Sequence, residues 1–283
     1  QAKAIEAAGA TIINTGIGWH EARVPTIATS VPRAAFASVT AKMKPHVKLP
    51  LVATNRINMP DVAEKILAEG QADMVSMARP LLADPHWLNK AKAGQAHLIN
   101  TCIACNQACL DHVFENKKAS CLVNPRACRE TELNYPAAQA KKRIAVVGAG
   151  PAGLSFATVA AGRGHQVTLF DAADEIGGQF NYAKQIPGKE EFHETIRYYT
   201  NLLAKHGVET RLGKAVTADH LKQSGFDEVV LATGITPRGL RLPARLEFTY
   251  PAGQATRWPS SAPAALVLML LNTCCTTSHQ RSM

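Results

Sequence analysis

The sequence predicts an α/β protein with parallel β-sheets, and three observations lead to this fold class. Short apolar strands alternate with helices over the first hundred of the 283 residues. A second strand–helix–strand unit begins at Arg143 and contains a glycine-rich turn. Between these two parts the alternation stops, and five of the seven cysteines occur there, from Cys102 to Cys128. Since strands separated by helices pair in parallel, we expect two α/β parts joined by a cysteine-rich segment.

The composition is that of a globular protein without a nucleic-acid or membrane partner. Hydrophobic residues make up 46% and charged residues 19% of the chain, and the formal net charge of +9 is not gathered into Lys/Arg runs. This spread disfavours a nucleic-acid-binding arm and favours weak attraction of anionic ligands such as phosphorylated cofactors. The longest apolar stretch, Ala262–Leu271, is too short to cross a bilayer of roughly 30 Å as a helix. No secretory signal is recognisable at the start, so a cytoplasmic location is expected.

The first part has the alternation of a (β/α)8 barrel. In that fold the carboxyl ends of the strands carry the site, and the loops after the last two strands commonly hold a phosphate. Arg56 and Arg79 follow two of the predicted strands and fit that place, although spacing alone leaves open that they are surface arginines in ordinary loops. The predicted helices are Gln1–Ala8, Arg33–Lys44 and Asp61–Glu69, and the predicted strands are Thr11–Asn14, Leu49–Ala53 and Met74–Met77.

Four cysteines form a candidate metal site. They follow the pattern C-x2-C-x3-C-x11-C, and they are Cys102, Cys105, Cys109 and Cys121. Four thiolates can hold a [4Fe–4S] cluster, in which each iron takes one protein ligand. Zinc is the alternative, although structural zinc sites more often pair two C-x2-C units. Cys128 remains as a spare thiol, and a disulfide network is the least favoured use of these cysteines.

A glycine-rich turn predicts a dinucleotide site in the second part. The strand Arg143–Val147 leads into the turn, and a helix over Leu154–Ala161 follows it. Such glycines permit the tight bend, the close approach of a pyrophosphate and close helix–strand packing, while the helix N-terminus offers free N–H groups. The next strand, Gln166–Phe170, ends in Asp171, a carboxylate suited to accept hydrogen bonds from ribose hydroxyls. The turn itself reads Gly148-Ala149-Gly150-Pro151-Ala152-Gly153.

Two later features favour FAD over NAD at this site. Ile176-Gly177-Gly178-Gln179 follows the acidic residue, and a later apolar strand, Val229–Ala232, ends in Thr233-Gly234. Both resemble the pattern of flavoprotein disulfide reductases, in which the first dinucleotide site takes FAD. Two turns of a generic α/β domain remain the alternative.

The order of these features resembles one enzyme family. Arginines at barrel-strand ends, the four-cysteine pattern and the FAD fingerprint follow one another as in the family of 2,4-dienoyl-CoA reductase, trimethylamine dehydrogenase and the enoate reductases. Within it, the segment Asn14–Arg23 is most similar to the bacterial NADPH-dependent 2,4-dienoyl-CoA reductases. The resemblance covers about Gln1 to Pro237.

The resemblance implies an oxidoreductase of unsaturated fatty-acid β-oxidation. In such enzymes NADPH reduces FAD by hydride transfer, FAD passes single electrons through the [4Fe–4S] cluster, and reduced FMN in the barrel delivers hydride to a 2,4-dienoyl-CoA. The substrate is thus a small acyl-CoA. One alternative is a sister activity on other enones or on amines. The other is a metal- and flavin-binding electron carrier or interaction module with no reaction of its own.

The resemblance also assigns roles to residues. His20 would belong to the acid pair that protonates the substrate, since histidine as a residue type has a pKa of about 6.5. Without the resemblance it reads as a packed loop histidine. Arg56 and Arg79 would hold the FMN phosphate, together with Asn55 and Ala78. The FAD site would comprise Gly148, Gly150, Pro151, Ala152, Gly153, Asp171, Gly178, Gln179, Val216, Thr233 and Gly234, and the cluster ligands would be Cys102, Cys105, Cys109 and Cys121.

The predicted organisation is that of an internal piece of such an enzyme. The chain lacks an initiator Met, about five of the eight barrel strands with the tyrosine proton donor of the family, and the NADPH-binding segment. We expect such a piece not to turn over alone. A reading-frame shift near Arg238 is our hypothesis for the tail, and an uninterrupted frame on resequencing would refute it. The predicted parts are the end of the FMN barrel (1–99), the cluster segment (100–132), a linker (133–142), an incomplete FAD domain (143–238) and an unrelated tail (239–283).

Overall fold

The structure is a computed structural model that describes residues 1–19 and 21–235. The predictions for His20 and for the tail 239–283 lie outside these residues. Gln1–Thr233 form one compact unit, and Gly234 begins a second. The described part of the first unit contains two parallel β-sheets, which confirms the predicted α/β class. No helix in the described ranges is long and apolar enough to cross a membrane.

The first sheet has three parallel strands in the order β1-β2-β3. The predicted helix Arg33–Lys44 begins only at Ala37, because Ala34 has a φ of +57°, which a right-handed helix does not accept. The strands are β1 (Ile13–Thr15), β2 (Leu51–Ala53) and β3 (Met74–Val75). The helices are α1 (Ala2–Ala7), α2 (Ala37–Met43), α3 (Pro60–Ala68), α4 (Arg79–Ala83) and α5 (Trp87–Lys92), with 3-10 turns at Lys44–His46 and Ala96–Leu98.

The core of the first part lies between this sheet and its helices. Leu51 and Ala53 of the central strand β2 are fully buried. Ile66 of α3, Trp87 of α5 and Ile99 are buried in the same part of the chain. Burial on both faces explains why β2 is a continuous apolar run, as central strands of parallel sheets are.

The cysteine segment joins the two sheets with little regular structure. Its described helix is the short α6 (Leu110–Phe114). Ahead of this helix, Ala104 and Asn106 adopt left-handed conformations, with φ of +54° and +63°. These two residues lie in the loop between Cys102 and Cys109, which carries three of the predicted ligands.

The second sheet has four parallel strands in the order β6-β5-β4-β7. Its two middle strands have the predicted bounds. The strands are β4 (Arg143–Val147), β5 (Gln166–Phe170), β6 (Glu209–Arg211) and β7 (Glu228–Leu231). The helices are α7 (Pro151–Gly162), α8 (Phe180–Ala183), α9 (Phe192–Lys205) and α10 (Ala218–Gln223).

Helix α9 was not among the predicted elements, although its sequence carries a helical period. Tyr199 and Leu203 are buried against Leu154 and Ala157 of α7. Glu194 and Arg197 of α9 lie on another side of the helix, where they contact Arg33 and residues 96–101. Helix α9 therefore connects the two sheets through side chains.

Candidate cofactor sites

The glycine-rich turn packs too tightly for any side chain at two of its positions. Gly148 has a φ of +112°, and a Cβ there would lie 2.2 Å from the carbonyl oxygen of Ala232. A Cβ on Gly153 would lie 1.8 Å from the carbonyl oxygen of Gly148. Both contacts join β4, α7 and the segment after β7 at the carboxyl edge of the sheet. The first and third glycines of the predicted motif thus have the structural roles that such a turn requires.

Gly150 has a different environment, since it faces open space. A Cβ added to Gly150 would meet no atom within 4 Å, and its φ is −75°. Gly150 caps the twelve-residue helix α7, and Pro151 and Ala152 form the first turn of that helix. The open space therefore lies at a helix N-terminus, where free N–H groups and the helix dipole favour a phosphate.

The predicted second loop closes on the first. The N–H of Gly177 donates to the carbonyl oxygen of Ala149 at 2.8 Å. A Cβ on Gly178 would lie 3.0 Å from the Cα of Gly150, and Gln179 is the N-cap of helix α8 directly afterwards. The two glycine-rich loops are thus in direct contact in front of α7.

Asp171 lies at the end of β5 beside the glycine-rich turn. Its carboxylate accepts the N–H of Ala149 at 2.5 Å and the N–H of Ala173 at 2.9 Å. These bonds fix the carboxylate at the carboxyl edge of the sheet, next to the space in front of α7. The predicted role toward ribose hydroxyls stays a prediction.

The remaining predicted FAD residues lie after β6 and β7. Val216 is half-buried in the loop between β6 and α10. The backbone nitrogen of Thr233 lies 3.0 Å from the position that a Cβ of Gly148 would take. Gly234 has a φ of +70° and belongs to the second unit.

The four predicted cluster cysteines line one pocket. Around them, Ala83, Ile103 and Val123 form a small apolar core to which Phe192 of α9 also belongs. Arg79 lines the same pocket and donates to Asn106 of the cysteine loop at 2.6 Å. Within the described residues, no three His, Cys, Asp or Glu side chains converge closely enough to share one metal ion. The thiols that line the pocket are Cys102, Cys105, Cys109 and Cys121.

The chemistry of these thiols fits a thiolate-bound metal centre, whether the predicted iron–sulfur cluster or zinc. Burial raises the pKa of Cys102 to about 12 and that of Cys105 to about 11, and it also raises the pKa of Cys121. Hydrogen bonds from the backbone at Ala104 and Gln107 oppose this rise for the first two thiols. Thiols so placed need the positive charge of a metal to deprotonate. Backbone donors to sulfur are also one means by which proteins tune such clusters.

Arg56 is buried, and the structure gives it a partner in the second part of the chain. Its Nε donates to the carbonyl oxygen of Val31 at 2.7 Å, and its Nη2 donates to Glu191 at 2.7 Å. Asn55 donates to the carbonyl oxygen of Ile17 at 3.1 Å. Asn55 and Arg56 both have positive φ, of 72° and 55°, a backbone conformation that is uncommon for residues other than glycine.

The two predicted phosphate arginines therefore make different contacts. Arg56 faces Glu191, whereas Arg79 begins helix α4 after its N-cap Ala78 and faces the cysteine loop. Their role toward an FMN phosphate remains a prediction. Sequence reasoning missed Glu191, whose only local signal is its place among the charged residues that precede and open α9.

Two protein-family models match the chain. The model described as NADH:flavin oxidoreductase / NADH oxidase family matches residues 1–97. The model described as pyridine nucleotide-disulphide oxidoreductase matches residues 142–258. Together they confirm the predicted order of a flavin barrel segment followed by a Rossmann-like segment.

Named relatives share both segments with this chain. The metal reductase of Desulforamulus reducens is 45% identical over 239 residues, which cover 83% of this chain and 36% of that protein. The NADH oxidase of Thermoanaerobacter brockii is 38% identical over 246 residues, which cover 84% of this chain and 37% of that protein.

Among solved structures, the complex of 2-naphthoyl-CoA reductase with 2-naphthoyl-CoA is similar to this chain. It aligns with a TM-score of 0.82 and 37% identity, over 85% of this chain and 37% of that one. The chain thus spans little more than a third of the length of these three relatives. With a barrel segment of the NADH:flavin oxidoreductase / NADH oxidase family joined to a pyridine nucleotide-disulphide oxidoreductase segment, the chain belongs to the flavoprotein oxidoreductases.

Proposed function

We propose that this chain is the electron-transfer core of an NADPH-dependent reductase that reduces 2,4-dienoyl-CoA thioesters. One observation carries the proposal. The cysteine pocket contacts both flavoprotein segments, since Arg79 and Ala83 come from the first and Phe192 comes from the second. A redox centre in that pocket would lie between the two flavin-binding segments.

The residues of the chain divide the binding work among three sites. The glycine-rich turn and the N-terminus of α7 would hold the FAD pyrophosphate, with Asp171 toward the ribose. Arg79 would bind the FMN phosphate, and Arg56 would support that site from its buried ion pair with Glu191. The four thiolates would hold a [4Fe–4S] cluster. When bound, these groups supply the path by which electrons of NADPH reach the conjugated thioester.

Two observations favour an acyl-CoA as the substrate. The segment Asn14–Arg23 resembles 2,4-dienoyl-CoA reductases. One similar structure is that of 2-naphthoyl-CoA reductase in complex with 2-naphthoyl-CoA, the CoA thioester of an aromatic acid. His20 would supply a proton to the reduced substrate, since imidazole exchanges protons near neutral pH.

The test is an enzyme in which residues 1–235 replace the matching segment of a bacterial 2,4-dienoyl-CoA reductase. After anaerobic reduction by NADPH, it is mixed with a 2,4-dienoyl-CoA or a free enoate. A sample left oxidised is mixed with a secondary amine. We expect rapid flavin reoxidation by the dienoyl-CoA alone, and loss of most of the steady-state turnover in the His20→Ala variant. The proposal would be contradicted if only the free enoate reoxidised the flavin, or if the amine reduced it. The parent enzyme, assayed beside the hybrid, must remain active.

A further inference from the structure

Arg197 of α9 holds the chain segment that leads into the first cluster cysteine. Its Nη2 donates to the carbonyl oxygen of Ile99 at 2.8 Å and to the hydroxyl of Thr101 at 2.9 Å. Its Nη1 donates to the carbonyl oxygens of Ala96 and His97. Thr101 is the chain neighbour of Cys102. One side chain of the second part thus binds four acceptors, and the last of them, Thr101, directly precedes the predicted ligand Cys102.

The guanidinium is oriented by a chain of alternating charges. The Nε of Arg197 donates to Glu194 at 2.5 Å, one turn earlier on α9. Glu194 also accepts from Arg33 at 2.8 Å, and Arg33 donates to Glu191 through two nitrogens at 2.9 and 2.6 Å. Glu191 pairs in turn with Arg56. We call these five residues the α9 charge chain, which runs from the cysteine segment to a predicted FMN arginine.

The same segment is held from its other side by the first part of the chain and by the cysteine loop. The N–H of Asn100 donates to Asp84 at 2.8 Å, and the side-chain amide of Asn100 donates to the carbonyl oxygen of Val123 at 2.7 Å. Asn58 donates to the carbonyl oxygen of Cys102 at 3.1 Å. Arg197 adds the contact from the second part, so it ties the position of Cys102 to the FAD segment.

We propose that Arg197 is a positioning residue for the cluster. It acts through three backbone carbonyls between Ala96 and Ile99 and through the hydroxyl of Thr101, without touching a thiol itself, and fixes the first ligand relative to the flavin segment that would reduce the cluster. All three of its nitrogens are used, and a planar fork of fixed donors suits several acceptors better than the point charge of lysine does. Cluster potentials depend on solvent exposure and on hydrogen bonds near the sulfurs, so a loosened segment changes the potential. The inference rests on the proposed function for the identity of the cluster.

The experiment compares Arg197→Met and Arg197→Lys with the matched control Arg143→Met, all in the full chain. Arg143 also donates to two backbone carbonyls, those of Ser224 and Gly225, but at the opposite end of the second sheet. Each variant is reconstituted with iron, sulfide and FAD. The midpoint potential and electron paramagnetic resonance spectrum of the reduced cluster are then measured, together with FAD affinity.

We expect Arg197→Met to shift the potential and the spectrum, Arg197→Lys to restore them in part, and Arg143→Met to match the wild type, with FAD affinity unchanged throughout. In the metal-free protein, Arg197→Met should speed amide hydrogen exchange over residues 97–102 by roughly tenfold, the loss expected for about one charged hydrogen bond. A wild type that assembles the cluster, with Arg197→Met unchanged in potential and in exchange, would overturn the inference and leave the proposed function standing. A wild type without a cluster, with faster exchange only in Arg197→Met, would refute the proposed cluster and with it the role toward the cluster, and would leave Arg197 as a residue that holds the segment before Cys102.

Discussion

Arg56 and Glu191, 135 residues apart in sequence, form a buried ion pair between the two flavoprotein segments, with 2.7 Å from Nη2 to Oε1. Both side chains are almost fully buried, at 3% and 7% exposure. Arg33 donates to both oxygens of the same carboxylate, from Nε to Oε1 and from Nη2 to Oε2. Glu191, the residue before α9, thus accepts hydrogen bonds from two arginines of the first part.

Replacing Glu191 by Gln should destabilise the protein. The change leaves Arg56 buried without its counter-charge, and removal of one partner from a buried pair costs about 3 kcal/mol. The free energy of unfolding is measured by denaturant titration. The control is Glu209→Gln, which breaks the exposed pair with Arg211 and should cost less than about 1 kcal/mol. Equal losses in the two variants would contradict the importance of the buried pair.

The same pair predicts how stability depends on pH. Burial alone would raise the pKa of Glu191, but the hydrogen bonds and charges of Arg33 and Arg56 outweigh burial and hold this pKa below its ordinary value of 4.5. The stabilisation is therefore complete above pH 4.5 and is lost as the pH falls through the lowered pKa. The difference in unfolding free energy between wild type and Glu191→Gln should shrink across that acidic range. If the difference in unfolding free energy stayed constant as the pH fell below 4.5, Glu191 would not titrate as proposed.

Gly150→Ala should weaken FAD binding without harming the fold. A Cβ there meets no protein atom within 4 Å, so the added methyl group would occupy only the space where the pyrophosphate is expected. We expect FAD affinity to fall by about tenfold or more, or ~1.4 kcal/mol, with an unchanged unfolding midpoint. Affinity is measured by fluorescence quenching of FAD.

Gly153→Ala provides the opposite case at the same site. Its Cβ would lie 1.8 Å from the carbonyl oxygen of Gly148, so this variant should lose folded stability as well as FAD. If Gly150→Ala bound FAD as the wild type does, the pyrophosphate would not lie in front of α7.

The cysteines should separate into ligands and a spare thiol. Cys102→Ser removes one of the four thiols that line the pocket and should abolish a stable cluster, since each iron needs its own ligand. Cys128 does not line this pocket, so Cys128→Ser should keep the iron and sulfide content of the wild type. Iron and acid-labile sulfide are measured after anaerobic reconstitution. If Cys128→Ser lost its iron and Cys102→Ser kept it, the predicted set of ligands would be wrong.

Sequence patterns predicted the strands and turns whose conformation is set by neighbouring residues. Arg143–Val147 and Gln166–Phe170 have the predicted bounds because each is a short apolar run that ends at a turn or a polar residue. The glycine-rich turn was predictable for the same reason, since Gly148 and Gly153 leave no room for a Cβ. The start of α2 was wrong because the positive φ of Ala34 comes from its place beside Arg56, whose carbonyl oxygen accepts the Ala34 N–H at 2.8 Å.

The α9 charge chain could not have been predicted from sequence. Apart from Arg197 with Glu194, its pairs join residues at least 135 positions apart, such as Arg33 with Glu191 and Arg56 with Glu191. A charged residue shows no sign in sequence of which opposite charge will reach it. The four cysteines were easier to group because three of them share one loop.

We propose that the chain holds an iron–sulfur cluster beside an FAD site. The measurement that tests it most directly is the iron, acid-labile sulfide, zinc and flavin content of anaerobically purified and reconstituted protein, taken with its absorption spectrum. We expect about four irons and four sulfides per chain, as in one [4Fe–4S] cluster, together with bound FAD. Zinc in the cysteine pocket without bound flavin would contradict the claim and leave a structural metal module in its place.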